Sequence, residues 1–206
     1  MKKTTYILII FFSVLFVFAF LSPLIFMTER SDDPNGGTSD IEYFDMVPKG
    51  NPQQYVMTPF HTIAEVDIDM NTNVSLDSNF PLTLNVVESD SVTSPKIDLD
   101  ACWNGNVKPI VENDTLYFTI DMKALVPKPI KNYVIVRAPL ESKEMATVTV
   151  PRGMLKQILA NTNFLNLEDF KGAELFISSQ GTYINTVNSD FSFFTIENSS
   201  PSYNYY

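Results

Sequence analysis

The sequence predicts an all-β, solenoid-like domain carried behind a single N-terminal transmembrane helix. Three observations carry this. Residues Tyr6 to Met27 form one apolar run, YILIIFFSVLFVFAFLSPLIFM. From Phe60 on, short β-type segments follow one another, separated by Asn, Asp, Pro and Gly. A 19-residue period then runs through the last sixty residues, 145–200.

The apolar run spans 22 residues. At about 1.5 Å rise per residue it reaches roughly 33 Å, enough for a hydrocarbon core of about 30 Å. A cleaved signal peptide is the rival reading. Its apolar region usually has about 7–15 residues and ends in a small-x-small site. This run is longer and ends in bulky residues, although Ala19 and Ser22 could serve a permissive peptidase. Lys2 and Lys3 before the run favour a cytoplasmic start. The segment is therefore expected to hold the chain in the lipid bilayer of an inner membrane, with residues 6–27 spanning it and the rest of the chain periplasmic or otherwise extracytoplasmic. No Cys stands directly after the run, which excludes a bacterial lipoprotein anchor.

Thr28 to Pro59 reads as a linker. SDDPNGGTSD and then Pro48, Gly50, Pro52 and Pro59 interrupt any periodicity. Beyond it, about 150 residues remain, a length that supports one domain with a core of its own.

Within 60–206, strands are expected where β-branched and aromatic residues alternate with polar ones. Ile63, Val66 and Ile68 lead into Val74 and Leu76. Leu82 to Val87, Ile97 to Leu99, Val107 to Val111 and Leu116 to Ile120 follow. Tyr133 to Val136 and Thr147 to Val150 continue the series. Only Gly153 to Ala160 has modest helix propensity.

The repeat is visible as columns. Met145, Phe164 and Tyr183 are spaced by 19, as are Ala146, Leu165 and Ile184, and Ile158, Ile177 and Ile196. Gly153 with Gly172 and Asn166 with Asn185 share the offset. Repeats of about 20 residues that cannot bury their apolar positions singly are expected to stack like over like. A two-sheet sandwich is the alternative.

Composition narrows the function. The chain has 206 residues and a formal net charge of −10. Such a domain repels nucleic acid, which is excluded as a partner, and anionic lipid surfaces. Cys102, the single cysteine, permits no internal disulfide and reads as a small core residue beside Trp103. His61 is the single histidine, and no Gly-x-Ser-x-Gly elbow accompanies it, so a hydrolase triad is not indicated. One His and one Cys do not build a typical zinc site. Asp69 to Asn73 starts like a calcium loop, but Val74 and Phe80 stand where Gly and Glu are needed. Asp67 and Asp69, and likewise Asp98 and Asp100, fall on one strand face, where a cation site competes with a solvated surface. Asp98, Asp100 and Glu112 are the candidates for a carbohydrate-active site. No catalytic, metal or cofactor residue is assigned. Asp90-Ser91-Val92 and Asp114-Thr115-Leu116 fit a three-residue O-glycosylation pattern. The tail Tyr203-Asn204-Tyr205-Tyr206 suits a cap over an open solenoid end.

Phe60 to Ile68, Val107 to Leu116, and Val148-Thr149-Val150-Pro151 followed by Leu155 and Ile158 resemble the head GIN domain family of candidate auto-transporter adhesins. The resemblance covers roughly residues 60–200. It implies a right-handed parallel β-helix and an envelope protein related to adhesion. The coils here are poorer in Gly than the family pattern, and the anchor looks uncleaved. Those departures favour a protein held at the inner membrane. The expected function is non-enzymatic: binding or structural display in the bacterial cell envelope, with an envelope protein or a glycan as partner. A carbohydrate-active or carbohydrate-binding β-helix protein is the alternative.

Overall fold

The computed structural model describes residues 41–69, 73–77, 80, 82–126, 132–139, 142 and 144–198. The apolar run, the stretch 28–40 and the aromatic tail lie outside the described residues. All described residues belong to one unit, Ile41–Tyr206.

Strand alternation is clearest where the sequence repeats. In β10 (Ala146–Pro151), Ala146, Val148 and Val150 are buried and the intervening residues are half-exposed. The same alternation runs through β5 (Thr83–Ser89) and β12 (Phe164–Glu168). Successive strand side chains point to opposite faces, so each of these segments presents one apolar face to a core. β13 (Lys171–Ser179) buries Ala173, Leu175, Ile177 and Ser179 in the same way.

Three sheets result. The first runs β14 (Tyr183–Val187), β12, β5, β10, β6 (Lys96–Leu99), β2 (Gln53–Val56). The second runs β15 (Asp190–Asn198), β13, β11 (Gln157–Ala160), β3 (Thr62–Asp69), β8 (Thr115–Asp121), β7 (Val107–Glu112). The third is small: β1 (Glu42–Asp45), β9 (Val134–Arg137), β4 (Val74–Leu76). All three contribute to one apolar cluster. It includes Leu84, Val86 and Leu165 from the first sheet, Ile63, Phe118 and Ile177 from the second, and Val74 and Val136 from the third.

The all-β expectation holds; the right-handed parallel β-helix does not. The sheets are mixed. β10 with β6, β2 with β6, and β7 with β8 pair antiparallel, so the chain is not a closed solenoid. The physical reason lies before residue 157, where the chain has no constant period. Leu84 pairs with Ala146 and Thr62 with Thr115, at unequal separations. The β7–β8 connection is a two-residue turn at Asn113 and Asp114, with φ of 47° and 66°. Two consecutive positive φ angles make the primed turn of a tight hairpin, which forces antiparallel pairing.

The 19-residue period is a parallel register over the last third of the chain. Ile158 pairs with Ile177 and Ile177 with Ile196; Leu165 pairs with Ile184 and Asn166 with Asn185. Its earlier end is interrupted. β5 lies between β10 and β12, so Ala146 and Leu165 both pair with Leu84 rather than with each other. Gly153–Ala160 is not helical. It contributes a turn at Gly153, with φ of 69°, and then β11. The only helical pieces among the described residues are a 3-10 turn, Ala101–Trp103, and one α-turn, α1 (Met122–Leu125).

Two strands lie within the stretch read as linker. β1 pairs with β9, where Arg137 holds Asp45 at 2.8 and 3.1 Å and lies over the Tyr43 ring. β2 pairs with β6. Between them, Asn104 Nδ2 donates to the Lys49 and Asn51 carbonyls at 2.8 and 2.7 Å, pinning the intervening loop to the domain. Among the described residues, pairing therefore begins at Glu42 rather than Phe60.

Candidate binding face

The first sheet buries Leu84, Val86, Leu165 and Leu167, so its other face carries Asn85, Asn166, Phe164 and Glu168. Parallel register continues each column onto β14. Tyr183 sits beside Phe164 and Asn185 beside Asn166. The Phe164 and Tyr183 rings stack at 5.6 Å between centroids, 24° from parallel. They are 47% and 72% exposed. Next to them runs a row of amides. Asn166 Nδ2 donates to Asn85 Oδ1 at 2.6 Å, and Asn85 Nδ2 in turn donates to Glu144. This orients the carboxamides of Asn85 and Asn166 by mutual hydrogen bonding, while Asn185 at the sheet edge is exposed. An amide presents both donors and an acceptor, and an aromatic pair offers a rigid apolar platform. The face can therefore hold a ligand that is itself part apolar and part hydroxyl- or amide-rich.

The Met145, Phe164, Tyr183 column and the Ala146, Leu165, Ile184 column cannot both face the core, because they are adjacent along a strand. The inward column is Ala146, Leu165 and Ile184. Met145, at the strand's approach, is nonetheless fully buried. Sequence periodicity alone gives both columns equal weight; burial of Leu167 at the next inward position decides between them.

The carboxylates singled out from sequence are dispersed. Asp98 accepts from Gln54 Nε2 at 2.8 Å on the first sheet. Asp100 caps the 3-10 turn, accepting from the Cys102 N–H at 2.9 Å. Glu112 ends β7, an edge strand of the second sheet. Asp67 and Asp69 share the exposed face of β3, as alternation requires. Among the described residues no group of three or more His, Cys, Asp or Glu side chains is placed to hold a metal ion. His61 is half-exposed and its Nδ1 meets both Asp114 carboxylate oxygens, at 2.7 and 2.9 Å.

Two concavities are lined by described residues. One, of about 280 Å³, lies between β1, the 3-10 turn and α1 and is lined by Phe44, Met46, Lys49, Cys102, Asn106 and Leu125. It falls just below the usual size of a small-molecule site, about 300–1,000 Å³. The other is a shallow depression over β3 and β8, lined by Glu65, Asp67, Tyr117 and Asn161 among others.

No protein-family model matches the chain, and no curated protein matches it. Among solved structures it is similar to a candidate adhesin from Bacteroides fragilis, with 14% identity and a TM-score of 0.34 over 74% of this chain and 63% of that one. It is similar to a candidate adhesin from Parabacteroides merdae, with 15% identity and a TM-score of 0.36, over 71% of this chain and 55% of the other. A candidate lipid-binding protein from Parabacteroides distasonis shows 11% identity and a TM-score of 0.35, over 76% and 65%. The chain thus spans less than two thirds of the length of each of these proteins.

Proposed function

We propose that the chain is a non-catalytic, adhesion-type binding domain of the bacterial cell envelope, held at the inner membrane by residues 6–27 with the β domain on the extracytoplasmic side. One observation carries the binding reading: the solvent-facing Phe164–Tyr183 stack beside the Asn85, Asn166, Asn185 row. A protein that only fills space in the envelope has no need of two large aromatics side by side in water. Burying such a pair against a ligand gains apolar contact without much side-chain ordering, since stacking already restricts both rings.

A glycan is the ligand class this face suits best. Sugar rings have apolar faces that lie on aromatic platforms and hydroxyl edges that pair with amides. The test is a glycan array probed with the full chain in detergent, comparing wild type with Tyr183→Ala and with Tyr117→Ala on the other sheet. The reading expects at least about a tenfold loss for Tyr183→Ala, or about 1.4 kcal/mol, and little change for Tyr117→Ala. Binding that is equal in both variants would overturn this assignment of the face.

A further inference from the structure

The second sheet ends at β15, a nine-residue strand with no neighbour on its far side among the described residues. Long open edges are a liability that proteins normally blunt with Lys, Pro or a short strand. Four other edges follow that rule, while β14, five residues long, also lacks Lys, Arg and Pro. β7 carries Lys108 and Pro109. β1, β2 and β4 are four, four and three residues long. β15, DFSFFTIEN, has no Lys, Arg or Pro. Its register shifts against β13 are confined to the Lys171–Glu174 region; from Phe193 to Asn198 it pairs residue by residue. That leaves an outer edge with regular pairing behind it from Phe193 to Asn198. Phe193 and Ile196 are 62% and 44% exposed there. Ile196 continues the buried Ile158 and Ile177 column, so among the described residues no further strand covers the apolar core at this end.

We infer that β15 is a self-association edge, and that its occupant is β15 of a second copy, paired antiparallel about a two-fold axis. Charge selects this arrangement. Parallel in-register pairing would set Asp190 against Asp190 and Glu197 against Glu197. A two-fold axis centred on Phe194 sets Glu197 opposite Phe191, and one centred on Ile196 sets it opposite Thr195. In neither does an acidic residue face its own copy, and like charges directly opposite are what a strand pair avoids. The two-fold also closes the assembly at two copies, because each edge is consumed by the other. The two core ends at β15 then cover one another. The dimer carries two copies of the Phe164–Tyr183 face, which raises avidity for a repetitive ligand.

The test is disulfide trapping of the full chain in its membrane under mild oxidation. Opposed residues of an antiparallel pair lie about 4.5–5.5 Å apart at Cα, within disulfide reach. Phe194→Cys, for an axis at 194, or Ile196→Cys, for an axis at 196, is expected to give a cross-linked dimer at roughly ten times the yield of Lys108→Cys on the β7 edge, because only the former places two sulfurs within bonding distance. Cys102 is buried and supplies an internal background. Thr195→Pro added to the cross-linking variant is expected to abolish the product, and retained Trp103 emission shows that the domain still folds. Equal yields at 108 and at both β15 positions would overturn the inference. So would a dimer that forms only after deletion of residues 199–206, since the chain's own tail would then be the occupant.

Discussion

Asn161 completes a rung of the second sheet that no backbone supplies. Its Oδ1 accepts the Val66 N–H at 2.8 Å and its Nδ2 donates to the Val66 carbonyl at 2.9 Å. β11 ends at Ala160, and the β3 register against β8 shifts between Ile63 and Val66. The bulge would leave both polar groups of Val66 without a strand partner on that side. A carboxamide is the one side chain that reproduces a peptide's donor and acceptor together. Asn161→Ala is expected to destabilise the domain by about 2 kcal/mol, as two backbone groups lose their partners. Asn161→Asp keeps the acceptor alone and should cost a similar amount. Urea denaturation measures both; a change below about 0.5 kcal/mol for either would mean that water replaces the amide at no cost.

Glu88 ties three segments together. Its side chain is buried, and its two oxygens accept the Gly153 N–H at 2.7 Å and the Lys171 N–H at 2.9 Å. Arg152 stands 3.9 Å away and also pairs with Asp90. Gly153 lies in the turn after β10 and Lys171 opens β13, so the carboxylate fixes where β10 leaves the first sheet and where β13 enters the second. Glu88→Ala strands two donors beside a cation and is expected to cost roughly 3 kcal/mol. Glu88→Gln, which retains one acceptor oxygen, should cost less. The ordering of the two denaturation midpoints is the measurement, and Gln worse than Ala would contradict the proposed role.

How much of this was legible beforehand depends on local rules. β10, β12 and β13 were readable because their apolar residues alternate, and the 19-residue spacing of Ile158, Ile177 and Ile196 is the parallel register itself. β1 and β2 were not. EYFD and QQYV are too short to show alternation, and Pro48, Gly50 and Pro52 mark the turns around them as readily as they would mark a linker. The antiparallel β7–β8 hairpin had a signal in Asn113-Asp114, two residues that tolerate positive φ. The insertion of β5 between β10 and β12 had none, because long-range pairing leaves no mark on local spacing. The binding face was half visible: Phe164 and Tyr183 stood out as a column, but only the burial of the adjacent column turns them to solvent.

Gly153 and Gly172, nineteen residues apart, share a left-handed backbone, with φ of 69° and 60°. Neither position is crowded, since a Cβ there would meet nothing within 4 Å. Conformation rather than space selects glycine. Gly153→Ala and Gly172→Ala are each expected to destabilise by about 1 kcal/mol. Asn188, at φ of 49° and also on a turn, should tolerate glycine within about 0.5 kcal/mol on backbone grounds; it also donates to Asp169, so a larger loss in Asn188→Gly would measure that side-chain bond. Thermal unfolding of the three variants separates the two contributions.

Trp103, the single tryptophan, is 1% exposed and meets the Phe80 ring edge-on at 5.2 Å. Cys102 beside it is 3% exposed and lines the cleft under Phe44 and Met46. The pair reports on one region by two independent probes. Native emission should be blue-shifted, and the thiol should react with an aromatic disulfide roughly a thousandfold more slowly than in urea, because access requires opening worth about 4 kcal/mol. Both signals should change at the same urea concentration if this part unfolds with the rest. A thiol that reacts quickly while the emission stays native would mean that the β1 segment lifts off the cleft by itself. The stabilising contact would then be the Asn104 hold on Lys49 and Asn51, and Asn104→Ala should accelerate the reaction without moving the emission.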